Sequence, residues 1–340
     1  MRTHSDSGTA SPVGHDATHV SRRDCLRAAG LATAGLLAGI SPGSLTRMAT
    51  AADTPAAGAP KGRFIDAHVH VWTPDLDQYP IDESFSREDM QPPSFTPEQL
   101  FEHSGKSGVG RIVLIQMSFY KFDNRYMLDT IRRFPGVFSG VAVVDENAPD
   151  LTQTMKSLAA DGVRGFRIHP ATQPVYQWIG SPGMQTLWRS AAEQDLAVCP
   201  LINPEALPVI ERMCNRFSDT RVVIDHFARI GVDGNIRDEQ VDALCRLAKY
   251  PNTYVKTSAF YALGKKQPPY TDLAPMIRQV RDAFGAERLM WASDCPYQVD
   301  PGHTYEESIA LVRDKLDFLS AEERQWMLAG TAEKVYFRGI

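Results

Sequence analysis

Asp66, His68 and His70 occupy alternate positions in the run Phe64-Ile65-Asp66-Ala67-His68-Val69-His70-Val71-Trp72. The run is apolar and β-branched with a period of two, the pattern of a buried strand, and that period predicts one shared face for the three polar side chains. Two imidazoles beside a carboxylate inside a strand are costly, because a buried polar group without a partner loses about 2–7 kcal/mol. A divalent cation or an acidic substrate would offset that cost. A hydrogen-bonded pair of core histidines is the plainer alternative.

The rest of the chain supplies the elements that would hold such a group. Apolar runs recur at Arg111–Gln116, Val137–Val144, Val163–His169, Leu196–Ile202, Arg221–His226, Thr253–Ser258 and Arg288–Asp294, each preceded by a stretch of helical periodicity. Near-continuous apolar strands alternating with amphipathic helices indicate a parallel sheet covered by helices. Eight such units, with no Gly-x-Gly-x-x-Gly after the first strand, predict a closed (β/α)8 TIM barrel rather than an open dinucleotide-binding sheet. Active sites of that fold lie at the C-terminal strand ends, and the polar residues gather there: Gln116, Arg167, His169, Asp225, His226, Lys256, Ser258 and Asp294 join the two strand-one histidines. The Pro-rich excursion from Thr73 to Pro97 is too long for an ordinary connection and is a candidate lid or mouth. Tyr176, Trp178, Tyr261 and Tyr270, with Lys265 and Lys266, are candidates to line that mouth.

With 340 residues, 43% hydrophobic and 23% charged, and a net charge of −5, the chain has the composition of a globular protein. No basic block lies beyond the N-terminus, so neither nucleic acid nor an anionic membrane surface is expected as a partner; a small-molecule substrate is. Arg22-Arg23 precede a weakly apolar stretch, Ala28 to Ile40, too short to span a bilayer, and Ala49-Thr50-Ala51 offers an A-x-A cleavage site. Residues 1–51 therefore read as a twin-arginine export signal, 52–62 as a disordered linker and 63–340 as the barrel, with the mature protein periplasmic or secreted. Cys199, Cys214, Cys245 and Cys295 show no C-x-x-C spacing and read as mostly buried thiols.

Four stretches in barrel order carry a family resemblance: Asp66-Ala67-His68-Val69-His70, Val163-Arg164-Gly165-Phe166-Arg167, Val222-Val223-Ile224-Asp225-His226 and Met290-Trp291-Ala292-Ser293-Asp294-Cys295-Pro296. With Tyr254-Val255-Lys256-Thr257-Ser258 they resemble the amidohydrolase-related metal-dependent hydrolases, and most of all the lactonase branch, which includes fuconolactone, sulfomuconolactone and pyrone-dicarboxylate hydrolases. The resemblance covers nearly everything after Arg63. It implies a hydrolase that opens a lactone or related cyclic ester, with His68 and His70 as metal ligands, Asp294 as ligand or general base, and His226 as ligand or carbonyl polariser. One divalent metal is implied, zinc by the donor types, which bind it at about 2.0–2.2 Å and lower the pKa of its water to roughly 7. Asp294 would take the water's proton and return it to the leaving alcohol. Arg167 is a candidate to hold a substrate carboxylate bidentately or to form a salt bridge inside the barrel, and His169 to supply a substitute ligand or to bind an acidic substrate. Strand five ends Cys199-Pro200-Leu201-Ile202-Asn203 and lacks the ligand histidine common in the wider superfamily, a gap the lactonase branch shares. A metal-free route, with Asp294 alone activating water, is therefore implied as well. A decarboxylase of an aromatic or muconate-type acid is a rival that Leu201 and Asn203 argue against; a non-catalytic barrel is another.

Overall fold

A computed structural model describes residues 59–170 and 174–339 of the chain; the expected export signal and its cleavage site lie outside them. Eight strands run in chain order: β1 (Phe64–Val69), β2 (Val109–Ile115), β3 (Phe138–Ala142), β4 (Val163–Ile168), β5 (Ala197–Pro200), β6 (Arg221–Ile224), β7 (Thr253–Thr257) and β8 (Leu289–Trp291). Each pairs in parallel with the next. The ring closes just past β8, where Asp294 N–H donates to His68 O at 2.9 Å and His70 N–H donates to Cys295 O at 2.8 Å. This is the TIM barrel that the alternation of runs predicts.

The covering helices are α1 (Pro97–Ser104), α2 (Arg125–Arg133), α3 (Leu151–Ala160), α4 (Pro182–Glu193), α5 (Leu207–Arg216), α6 (Asp238–Cys245), α7 (Ala274–Phe284), α8 (Tyr305–Ala310), α9 (Ala321–Gln325) and α10 (Thr331–Tyr336). Their starts follow the local chemistry. Thr96 accepts from Gln99 N–H in a capping box, with Pro97 at the first helical position. The last helix, α10, touches β1, β4 and β8. It thereby plugs the end of the barrel opposite the polar strand ends, with Ala332, Val335 and Tyr336 packed among inward side chains such as Val113, Val223 and Met290.

Spacing alone predicts that Asp66 shares a face with His68 and His70, and the structure separates them. Along β1 the pairing with β2 slips: Asp66 pairs with Ile112 and Val69 with Leu114, so three steps on one strand match two on the other. Such a bulge changes which face the following side chains take. Ile65 and Ala67 point into the barrel before it, and His68 and His70 do so after it. Asp66 is left facing the outer layer, where it accepts from His68 N–H at 3.1 Å, Ser293 N–H at 2.9 Å and the Tyr305 hydroxyl at 2.7 Å. Burial pushes its pKa up to about 6. Asp66 is therefore a strut joining β1, the end of β8 and α8, not a member of the site.

The ordered strands are shorter than their apolar runs: β5, β6 and β8 stop at Pro200, Ile224 and Trp291; beyond β6 and β8 the polar residues Asp225, His226, Ser293 and Asp294 leave the ladder. The excursion after β1 is tied at its base, with Trp72 and Phe95 exchanging backbone hydrogen bonds of 2.9 and 3.1 Å and Trp72 Nε1 donating to Pro92 O at 2.9 Å. Its Met90 is buried. The four described cysteines are free thiols, Cys199, Cys214 and Cys295 buried and Cys245 partly so.

Candidate active site

The C-terminal ends of five strands meet in one charged cluster. His68 and His70 come from β1, with their Nε2 atoms 3.3 Å apart, and Asp294 Oδ1 from the end of β8 lies 3.5 Å from each. His226, after β6, turns Nε2 to within 3.9 Å of Asp294 Oδ2, while its Nδ1 meets Ser258 Oγ, after β7, at 2.8 Å. Beneath them Asp225 Oδ1 lies 3.0 Å from Lys256 Nζ of β7 and 3.4 Å from His68 Nδ1. Arg167 of β4 sets Nη2 3.5 Å from Asp225 Oδ2 and 3.3 Å from His68 Nε2.

The backbone that presents two of these groups is strained. His226, Phe227, Ala228 and Arg229 are all left-handed, with φ between 51° and 61°, and Asp294 has φ 65°. Each such residue costs about 1–2 kcal/mol, and conformations of this kind persist where the surroundings over-determine them, commonly at functional sites. Phe227 and Ala228 are fully buried, which holds the turn in place. The turn leaves the His226 ring 4.4 Å from that of His68.

Charge and burial set the protonation states. Burial, reinforced by the Lys256 ammonium, holds the His68 pKa well below the ordinary value, and burial lowers His226 too. Burial would raise the two carboxyls; Lys256 and His68 outweigh it at Asp225, and the surrounding imidazoles outweigh it at Asp294, so both stay below the usual carboxylate range. His70 Nδ1–H donates to Ile115 O at 2.9 Å, since a carbonyl only accepts, leaving a lone pair on Nε2. Arg167 can only donate, which favours a lone pair on His68 Nε2; Nδ1 lies between the Lys256 ammonium, 3.1 Å away, and Asp225 Oδ1, 3.4 Å away. The two Nε2 nitrogens and a carboxylate oxygen converge, forming a triangle with sides of 3.3, 3.5 and 3.5 Å. A tetrahedral ion with bonds of about 2.0–2.2 Å spaces its ligands about 3.3–3.6 Å apart. The donor set fits a divalent metal, which would take the lone pair that accepts from Arg167.

His68, His70 and Asp294 are thus assembled as the sequence predicts, with His226 beside them. His169, half-buried above Arg167, has its pKa lowered by burial and that guanidinium, and it belongs to neither potential metal-ligand group among the described residues. Of the expected mouth aromatics, Trp178 and Tyr270 are core residues, while Tyr176 is exposed. Loop position alone puts Tyr261 at the mouth; its hydroxyl donates to Asp294 Oδ2 at 2.7 Å. That contact has no sequence signal beyond lying four residues past the β7 end.

An eight-stranded parallel barrel that gathers paired histidines and an aspartate across its closing seam has the architecture of a TIM-barrel enzyme with a potential metal-ligand group at its mouth. The chain belongs to the amidohydrolase family, whose model matches residues 65–338. It is 31% identical to the L-fucono-1,5-lactonase of Burkholderia ambifaria over 80% of this chain and 94% of that protein. The 2-pyrone-4,6-dicarboxylate hydrolase of Comamonas testosteroni is 26% identical over 80% of this chain and 90% of its own length. An amidohydrolase of Burkholderia multivorans, solved with bound zinc, shares the fold at a TM-score of 0.68 and 22% identity, covering 81% of this chain and 99% of that one.

Lys256 and Asp225 are both fully buried, and removing one partner of such a pair leaves the other charge uncompensated. Lys256→Met is expected to lower unfolding stability by about 3–5 kcal/mol, read by urea denaturation. A loss too small to measure would show that Arg167 alone neutralises Asp225.

Proposed function

We propose that this protein hydrolyses lactones, with Asp294 as the general base. The observation that carries the reading is the single carboxylate set against three imidazoles, Oδ1 at 3.5 Å from His68 and His70 and Oδ2 at 3.9 Å from His226. Water attacks the lactone carbonyl, Asp294 takes its proton, and the same proton goes to the ring oxygen as the C–O bond opens to give a hydroxy acid. His226, kept neutral by burial, polarises the carbonyl through Nε2–H when the Ser258 hydroxyl donates to its Nδ1. Arg167 and His169 are the substrate-side groups. The sugar-lactonase relative supports an uncharged sugar lactone as the first substrate to try, and so does the engagement of Arg167 and Lys256 by Asp225.

His68, His70 and Asp294 are the residues we assign to hold a metal, with zinc as the ion that suits two imidazoles and a carboxylate. When bound, such an ion polarises a carbonyl and makes water more acidic. Strand five contributes no further ligand, because β5 ends in the buried Cys199 and Pro200. The carboxylate has the same task in the metal-free route.

Export through the twin-arginine route is proposed from Arg22-Arg23, the weakly apolar run after them and Ala49-Thr50-Ala51.

Three measurements check these assignments. Asp294→Asn keeps the shape but cannot accept a proton, so turnover of L-fucono-1,5-lactone or of whichever lactone the wild type prefers should fall about 10²–10⁴-fold; near-normal hydrolysis would refute the mechanism. His68→Ala and His70→Ala should lose metal by elemental analysis while circular dichroism stays native, and unchanged metal content would remove that residue from the ligand set. Fractionation of cells making the full chain should place a shortened protein, starting near Ala52, outside the cytoplasm. Full-length protein retained inside would count against export.

A further inference from the structure

The two oxygens of Asp294 have different surroundings. Oδ1 faces the His68 and His70 nitrogens, whereas Oδ2 accepts from the Tyr261 hydroxyl at 2.7 Å, the shortest side-chain approach to this carboxylate. The backbone of Asp294 is held by its N–H bond to His68 O, but the carboxylate itself turns about a soft sp³–sp² torsion with broad wells. Something else must decide which oxygen faces the imidazole pair.

Tyr261 is equipped for that task because it is braced from behind. Its ring meets the edge of His303, with centroids 6.1 Å apart and planes at 63°, and His303 stacks on Tyr270 at 6.0 Å and 20°. Gln298 Nε2 donates to the Thr304 carbonyl at 3.1 Å and to the Tyr270 hydroxyl at 3.0 Å. The Tyr270 hydroxyl is therefore free to donate to His303 Nδ1 at 2.8 Å. Tyr270 and Gln298 are buried, so the brace is made of side chains with little freedom. It clasps the loop after β7 to the loop after β8, the two segments that carry Tyr261 and Asp294.

We propose that Tyr261 is a positioning residue for the hydrolysis: it grips Oδ2 and so presents Oδ1, alone and in a fixed orientation, to the space between His68 and His70. The proposal rests on the lactone-hydrolase reading for its catalytic consequence, and on the Tyr261–Asp294 contact for its structural one. A phenol that only packed would be indifferent to Asp294, and a phenol that only touched substrate would act through KM.

Tyr261→Phe keeps the ring and removes the donor. For the lactone the wild type turns over, kcat should fall on the order of 10- to 100-fold with KM within about twofold. In parallel, urea midpoints of wild type, Tyr261→Phe, Asp294→Ala and the double variant close a cycle: Tyr261→Phe should lower the midpoint when Asp294 is present and have little effect when it is absent. Unchanged kcat, a change confined to KM, or an equal midpoint loss in both backgrounds would overturn the proposal. If the wild type opens no lactone, the functional reading fails by itself, and the urea cycle still decides whether Tyr261 grips Asp294.

Discussion

The seam between the first and last strands is the constraint on which the site depends. A parallel barrel has to return its eighth strand to its first, and here the return is made by residues of the site: Asp294 N–H bonds to His68 O, and His70 N–H bonds to Cys295 O. Closing the ring and assembling the donor triangle are the same event. Asp66 secures that event from outside, accepting from the backbone of both edges and from Tyr305 of α8. The bulge in β1 makes the division of labour, sending one acidic side chain outward and two imidazoles inward.

Charge balance is the second requirement. Within the buried end of the barrel two cations, Arg167 and Lys256, face Asp225, Asp294 lies among the imidazoles, and burial suppresses the charging of His68 and His226. An isolated charge at such depth would be far too costly, whereas a set that sums to zero with short contacts is tolerable. The same balance keeps lone pairs on the imidazoles, which is the state that binds a metal or accepts a proton. Lys256 and Asp225 thus serve the site from below, both facing His68 Nδ1 at 3.1 and 3.4 Å.

Much of this was legible in the sequence, and for definable reasons. Strand and helix alternation is written in local hydrophobic periods, so the barrel and its order of elements could be read from the chain. His68, His70, His226 and Asp294 could be named because they end strands, and a barrel sends all strand ends to one mouth. The ends of the strands could not be placed, because the left-handed turn at His226 to Arg229 and the φ of Asp294 are imposed by packing rather than by local propensity.

Periodicity and motif are enough to read the barrel, its family and the types of donor at its mouth. Tertiary structure alone decided the rest. A period of two cannot register a bulge, so the separation of Asp66 from the histidines appeared only when β1 was paired with β2. Trp178 and Tyr270 proved to be core and Tyr261 a partner of Asp294, because a loop residue's neighbours come from other loops that the sequence does not place beside it. Which nitrogen of His70 is free was likewise settled by a contact from another strand, the Ile115 carbonyl on its Nδ1. Hydrogen-bond partners distant in the chain are chosen by the closed ring, and no local pattern encodes them.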